Sequence, residues 1–167
     1  MRLIGQLGGM FFLMIKVLFV CLGNICRSPM AETVFQNMVD NAGLSAEIAV
    51  DSAGTSSYHV GERAAAGTRN VLVYHGMENK GRSRQIMATD MADEKTYIIA
   101  MDAANIRDLR YRFGDHPRMS RLLTYTEQSR DYDVPDPYYE GNFEAVYHLV
   151  EDGCRGLLAA IREIEGL

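Results

Sequence analysis

Cysteine is scarce in this chain: its 167 residues contain three, Cys21, Cys26 and Cys154. An odd and low number does not fit a secreted scaffold held by disulfides, and it favours a reducing compartment such as the cytoplasm. Cys21 and Cys26 have four residues between them, and the four histidines are scattered along the chain. Because neither spacing is typical of a metal site, we expect no bound metal.

Positive charge is also in deficit, since 17 Lys and Arg stand against 22 Asp and Glu. The net charge of −5 argues against a general nucleic-acid surface. Residues 3–23 are mostly apolar, but Lys16 interrupts the run and no cleavage site precedes a polar start. We therefore predict no membrane segment. We expect residues 1–14 to be an N-terminal extension and a candidate for disorder, and residues 15–167 to form one domain.

Apolar strands alternate with amphipathic helices from residue 15 onward. This alternation predicts an α/β protein whose parallel sheet carries helices on both faces, with its ligand site at the carboxyl ends of strands. The predicted strands are residues 15–21, 47–52, 95–101 and 119–124, and the predicted helices begin near Ser28 and cover residues 64–74, 102–113 and 142–165.

The loop after the first strand, CLGNICRSP, carries the chemistry. Gly23 and Asn24 tolerate unusual backbone angles, so successive N–H groups can point inward and bind an anion. Arg27 adds a bidentate fork, and a helix capped by Ser28 adds its positive end. These groups should favour the thiolate form of Cys21, which predicts nucleophilic attack on a phosphate ester. The Ser28 hydroxyl can donate to that thiolate.

A departing alkoxide or phenoxide needs a proton, and Asp136 is the candidate acid. It lies in residues 131–141, where two prolines predict an irregular loop and exclude a capping role for Asp136. Tyr138 and Tyr139 follow and can stack on an aromatic substrate. Arg84, by contrast, is interpreted as a solvated charge.

Five strings of residues carry a resemblance. They are VLFVCLGNICRSPMAE at 17–32, DSAGTSSY at 51–58, SRQI at 83–86, MDAANIRDL at 101–109 and PDPYY at 135–139. In this order they closely resemble the low-molecular-weight protein tyrosine phosphatase family. The resemblance implies a three-layer α/β/α fold with a four-stranded parallel sheet, a phosphatase I-like fold with flavodoxin-like winding. It implies no cofactor.

The resemblance also implies roles for individual residues. Cys21 would form a cysteinyl-phosphate, Arg27 would hold the phosphate, and Asp136 would act as general acid and then base. The phosphate-binding loop would comprise Leu22, Gly23, Asn24, Ile25, Cys26 and Arg27, with Asn24 held in a strained conformation by supporting groups that include Ser52. The walls of the substrate cleft would be Leu22, Tyr58, Tyr138 and Tyr139.

Two further points concern the neighbourhood of Cys21. Cys26 is interpreted either as a packing residue or as a redox partner that protects Cys21 as a disulfide. In addition, the family often has a histidine that buttresses the asparagine, and Gly81 stands at that position here.

The resemblance favours a monomeric enzyme acting on phosphotyrosine-containing proteins, and three alternatives remain. Phosphoarginine phosphatases resemble this loop but carry threonine at the position of Ile25, whose branched apolar side chain suits a phenyl ring. A thiol-coupled arsenate reductase shares the fold but needs further cysteines, and residues 27–153 contain none. A phosphopeptide-binding module without activity would lack the nucleophile or the acid, and this sequence has both.

Overall fold

The alternation of strands and helices produces a sheet that is covered by helices on both faces. The structure, a computed structural model, describes residues 4–7, 10–127 and 132–167. The strands are β1 (Ile4–Leu7), β2 (Met10–Leu13), β3 (Ile15–Cys21), β4 (Ile48–Gly54), β5 (Tyr97–Ala100) and β6 (Met119–Arg121). The helices are α1 (Arg27–Asn41), α2 (Ala66–Tyr74), α3 (Ala88–Ala92), α4 (Ala103–Phe113), α5 (Pro137–Glu140) and α6 (Phe143–Glu165).

The main sheet has four parallel strands in the order β4-β3-β5-β6. Strand β3 lies inside it, and its side chains alternate between two buried cores. Phe19 and Cys21 face one core, while Leu18 and Val20 face the other. A strand buried on both faces needs an unbroken apolar run, which explains the composition of β3. The predicted three-layer fold with a four-stranded parallel sheet is confirmed.

Helices from different parts of the chain form the two outer layers. Helices α1, α2 and α6 pack together on one face, where Phe35 meets Phe19 with ring centroids 5.5 Å apart. Helix α4 contributes Leu109 to the core on the other face. The chain therefore leaves β3 toward one face and β5 toward the other, which opens a crevice between their carboxyl ends. Cys21 ends β3 at that crevice.

Several predicted bounds differ from the observed ones by one to three residues, and the differences at the start of α1 and the end of β6 change how the chain is read. Helix α1 begins at Arg27 with Cys26 at its N-cap, so Ser28 lies inside the helix and its hydroxyl is free for another partner. The fourth strand ends at Arg121, because the chain continues as a 3-10 helix over Leu122–Tyr125 that buries its two leucines.

The N-terminal residues form a small separate sheet. Strands β1 and β2 pair in antiparallel register, and Met14 connects β2 to β3. Residues 1–3 and 8–9 of the expected extension lie outside the described residues. That residues 1–14 are an extension to a domain spanning residues 15–167 stays a prediction. Within the ranges given above, no helix is long and apolar enough to cross a membrane.

Candidate active site

The loop between β3 and α1 is fixed by hydrogen bonds from neighbouring loops. The N–H of Ser56 donates to the carbonyl of Leu22 at 2.9 Å, and the N–H of Ala65 donates to that of Ile25 at 2.7 Å. Strand β4 approaches so closely that a Cβ on Gly54 would lie 2.8 Å from the Leu22 carbonyl oxygen. Only glycine allows this contact, and the loop is held in place on that side.

Asn24 occupies the left-handed region with φ of 54°. This conformation costs a residue other than glycine about 1 kcal/mol, and side-chain bonds compensate. Its Oδ1 accepts from the backbone N–H of Arg84 at 3.0 Å. Its Nδ2 donates to Ser28 Oγ at 2.8 Å and to Ser52 Oγ at 3.0 Å. The side chain is thereby held at three points, Ser52 among them, and its contact with Ser28 was not predicted from the sequence.

These bonds fix the direction in which the hydroxyl groups donate. Because Ser28 Oγ accepts from Asn24, its own proton is available for Cys21 Sγ, which lies 3.0 Å away. Ser52 likewise donates to Glu32 Oε2 at 2.7 Å. Burial raises the pKa of Glu32 above its ordinary value, and the Ser52 bond opposes this. The network therefore delivers a hydroxyl donor to the sulfur of Cys21.

The segment around Ser83 braces the loop from outside. Ser83 Oγ donates to the carbonyl of Gly23 at 3.0 Å. The Arg84 guanidinium is held by Asp51 and Asp90, each at 2.9 Å. The interpretation of Arg84 as a solvated charge is therefore wrong: its side chain anchors the segment whose N–H binds Asn24. The N–H of Gly81 donates to Asn79 Oδ1 at 3.2 Å and not to the loop.

Arg27 lies almost completely buried, 3% exposed, between two carboxylates. Its Nη1 donates to Asp102 Oδ2 at 2.6 Å and to the Val134 carbonyl at 2.9 Å, and its Nη2 lies 3.4 Å from Asp136 Oδ2. Burial by itself lowers the pKa of Arg27, but the charges of Cys21 and Asp102 outweigh it and the pKa is raised. The guanidinium is thus permanently charged and held in one orientation.

The contact between Asp102 and Arg27 was not predicted from the sequence. The sequence indicated the start of a helix here, and Asp102 does cap α4 by accepting from the N–H of Asn105 at 2.8 Å. Its other oxygen binds Arg27. The available signal was its place directly after β5, at the crevice where β3 also ends.

The prediction that Asp136 cannot cap a helix is wrong. Asp136 is the N-cap of α5, and its Oδ1 accepts from the N–H of Tyr138 at 3.1 Å. Pro137 occupies the first position of this short helix, where its missing N–H costs nothing and its fixed φ fits. The cap directs Oδ2 toward Arg27. Asp131, the first residue of the predicted loop, lies outside the described residues.

A cleft of about 370 Å³ opens above the loop. The predicted phosphate-loop residues Leu22, Gly23, Ile25, Cys26 and Arg27 line it together with Cys21 and Asp136. The Asn24 side chain and Ser52 are buried behind the loop backbone and support it. The walls include the predicted Leu22, Tyr58, Tyr138 and Tyr139, all of them exposed. His59 and Ser56 also line the cleft, and neither was predicted from the sequence.

The other two cysteines are buried. Burial, followed by the charges of Cys21 and Asp136, raises the pKa of Cys26 to about 12. Cys154 on α6 is also buried, its Sγ 3.8 Å from the Ala31 carbonyl oxygen, and burial raises its pKa. All three thiols are free. Protection of Cys21 by Cys26 stays a prediction.

Comparison with known proteins places the chain in a family. The sequence profile described as low molecular weight phosphotyrosine protein phosphatase matches residues 16–165. A low molecular weight protein-tyrosine-phosphatase of Bacillus subtilis, YfkJ, is 48% identical over 153 residues, which cover 90% of this chain and 97% of that protein. The chain therefore belongs to the low molecular weight phosphotyrosine protein phosphatase family.

Solved structures agree with this assignment. The crystal structure of YfkJ superposes with a TM-score of 0.86 at 48% identity, covering 90% of this chain and 96% of that one. A protein tyrosine phosphatase from Entamoeba histolytica gives a TM-score of 0.82 at 37% identity, covering 91% and 98%. An arginine phosphatase of Drosophila gives 0.81 at 33% identity, covering 89% and 98%.

Proposed function

We propose that this chain hydrolyses phosphotyrosine monoesters in proteins through a cysteinyl-phosphate intermediate. The observation that carries the proposal is the hydrogen bond of 3.0 Å between Cys21 Sγ and the Ser28 hydroxyl, at the floor of a cleft that Arg27 and Asp136 also line. A nucleophile, a phosphate-binding cation and an acid thus share one site. Family membership supports the same reaction.

In the first step the sulfur of Cys21 attacks phosphorus, and the bond from phosphorus to the phenolic oxygen breaks. Asp136 donates a proton to the departing oxygen. In the second step water attacks phosphorus and gives a proton to Asp136, and Cys21 leaves as thiolate with the Ser28 proton directed at it. Arg27 and the loop N–H groups stabilise the charge on the phosphoryl oxygens in both steps.

The shape of the cleft supports an aromatic substrate. Tyr58 and Tyr138 form walls against which a phenyl ring can pack, and Ile25 supplies an apolar surface near the floor. A phosphoarginine substrate is the second candidate, because a relative named as an arginine phosphatase is 33% identical. The apolar Ile25 offers a guanidinium no hydrogen bond, which favours phosphotyrosine.

The test uses one peptide sequence carrying phosphotyrosine, phosphoarginine or phosphoserine, with a chelator present. We expect turnover of the phosphotyrosine peptide and none with Cys21→Ser. Faster turnover of the phosphoarginine peptide would replace the proposed substrate, and loss of wild-type turnover with chelator would contradict a metal-independent reaction. Asp136→Asn tests the acid: it should slow phenyl phosphate, a poor leaving group, by about 100-fold or more, and p-nitrophenyl phosphate much less.

The proposal extends to the setting of the enzyme. Three free cysteines support a cytoplasmic setting, and a net charge of −5 argues against binding to nucleic acid. The enzyme would act on phosphoproteins as a monomer, which is the default for a single domain. Light scattering coupled to size exclusion checks the monomer, and cell fractionation checks the compartment.

A further inference from the structure

His59 contributes a polar surface to the cleft wall. Its ring is 17% exposed and lies edge-to-face with Tyr58, with centroids 4.8 Å apart at 81°. It also lies 6.1 Å from the ring of Tyr138 on the opposite wall. A Cβ placed on Gly23 would be 3.0 Å from its Cδ2 and 3.7 Å from its Nε2. The Cδ2–Nε2 edge of the imidazole therefore covers the backbone of the phosphate-binding loop.

The ring is held in this position from behind. Its Nδ1 lies 2.5 Å from Glu62 Oε2. The turn that carries both residues is joined to Ser83, which itself bonds the phosphate-binding loop, by two backbone hydrogen bonds of 2.8 Å. One runs from Gly61 N–H to the Ser83 carbonyl and the other from Ser83 N–H to the Glu62 carbonyl. When the ring is protonated, Nδ1 donates to Glu62 and the second N–H, at Nε2, is a donor at the cleft wall.

Charge distribution indicates what this donor binds. Among the described residues that line the cleft, only Arg27 and His59 are basic. Arg27 lies beneath the loop and serves the phosphate. Tyr58 and Tyr138 already supply apolar walls, and a ring paired with a carboxylate adds a polar group to them. A ligand with a second negative group beside its phosphotyrosine would be matched by His59.

We propose that His59 is a specificity-determining residue that binds an acidic side chain adjacent to the phosphotyrosine of the substrate. The enzyme then favours acidic phosphotyrosine sites over neutral ones. This inference rests on the proposed phosphotyrosine phosphatase activity.

The test measures kcat/KM for two peptides that differ only in having Glu or Gln on both sides of phosphotyrosine. Partly exposed charge pairs are worth up to about 1 kcal/mol, so the Glu peptide should be favoured about fivefold at pH 6. His59→Gln should bring the ratio to about one, and His59→Glu should invert it. His148→Gln on α6, a histidine that does not line the cleft, is the matched control and keeps the wild-type ratio.

The outcomes separate the two proposals. If wild type hydrolyses neither peptide, the proposed function fails. If it hydrolyses both with equal kcat/KM, or if His59→Gln keeps the preference, or if His148→Gln loses it, the assignment of His59 is overturned and the phosphatase activity stands.

Discussion

Replacing Ser28 with alanine tests the hydrogen-bond network at its most sensitive point. The hydroxyl is fully buried and has two partners, Cys21 Sγ at 3.0 Å and Asn24 Nδ2 at 2.8 Å. In the second step negative charge develops on the sulfur as the S–P bond breaks, and the hydroxyl is the donor that stabilises it. A hydrogen bond to a charged group is worth about 1.5–3 kcal/mol, so breakdown of the phosphoenzyme should slow about 10- to 150-fold.

The assay is rapid-quench kinetics with p-nitrophenyl phosphate. We expect a burst of p-nitrophenol equal to the enzyme concentration, followed by slow turnover, because the intermediate accumulates. Ser120→Ala is the matched control, since that hydroxyl bonds Tyr125 OH away from the cleft. A Ser28→Ala enzyme with kcat within twofold of wild type would show that Ser28 does not donate to Cys21. That result would refute the order in which Asn24 donates to Ser28 and Ser28 donates to Cys21.

Three further outcomes follow from burial and packing. At pH 7 iodoacetamide should label Cys21 and spare Cys26, because the pKa of Cys26 is raised to about 12. Peptide mass spectrometry measures the labelling of each cysteine, and equal labelling would contradict the prediction. Burial raises the pKa of Glu32 above 4.5 in the folded state, so the stability this group contributes is present below pH 4.5 and is lost as pH rises through the raised value. Urea unfolding should therefore show that the free energy of unfolding of Glu32→Gln rises relative to that of wild type between pH 4 and pH 7. A difference in unfolding free energy that does not change with pH would argue against this. Gly156→Ala should lower the free energy of unfolding by about 1–3 kcal/mol, because the new Cβ would lie 1.9 Å from the Tyr125 carbonyl oxygen. This loss exceeds the gain from the higher helix propensity of alanine. An unchanged urea midpoint would show that the backbone shifts to make room for the methyl group.

The parts of the site that are contiguous in sequence could be predicted from it. Cys21 and Arg27 belong to one loop after one apolar strand, and local rules for strands, glycine and helix starts are enough to place them. Asp136 required recognition of a second string far along the chain. Its capping role was missed because a rule about proline inside helices was applied at a helix start, where proline is favoured.

Contacts that depend on strand order could not be predicted in this way. Asp102 meets Arg27 because β5 is the neighbour of β3, although 74 residues separate the two side chains in sequence. Arg84 supports Asn24 through its backbone N–H, and the identity of its side chain gives no direct sign of that bond. His59 lies beside a predicted wall residue, yet only the turn that pairs it with Glu62 shows that the ring covers the loop.

The network behind Cys21 has one direction because of how Asn24 is held. The N–H of Arg84 can only donate, so it fixes the amide oxygen of Asn24 and leaves the amide N–H groups for Ser28 and Ser52. Glu32 at the far end can accept from Ser52 when ionised or donate to it when protonated. In either state Asn24 still donates to Ser28, and the Ser28 proton still has Cys21 as its partner. The charge state of Glu32 therefore bears on the stability of the fold, while the donor to the reacting sulfur stays the same.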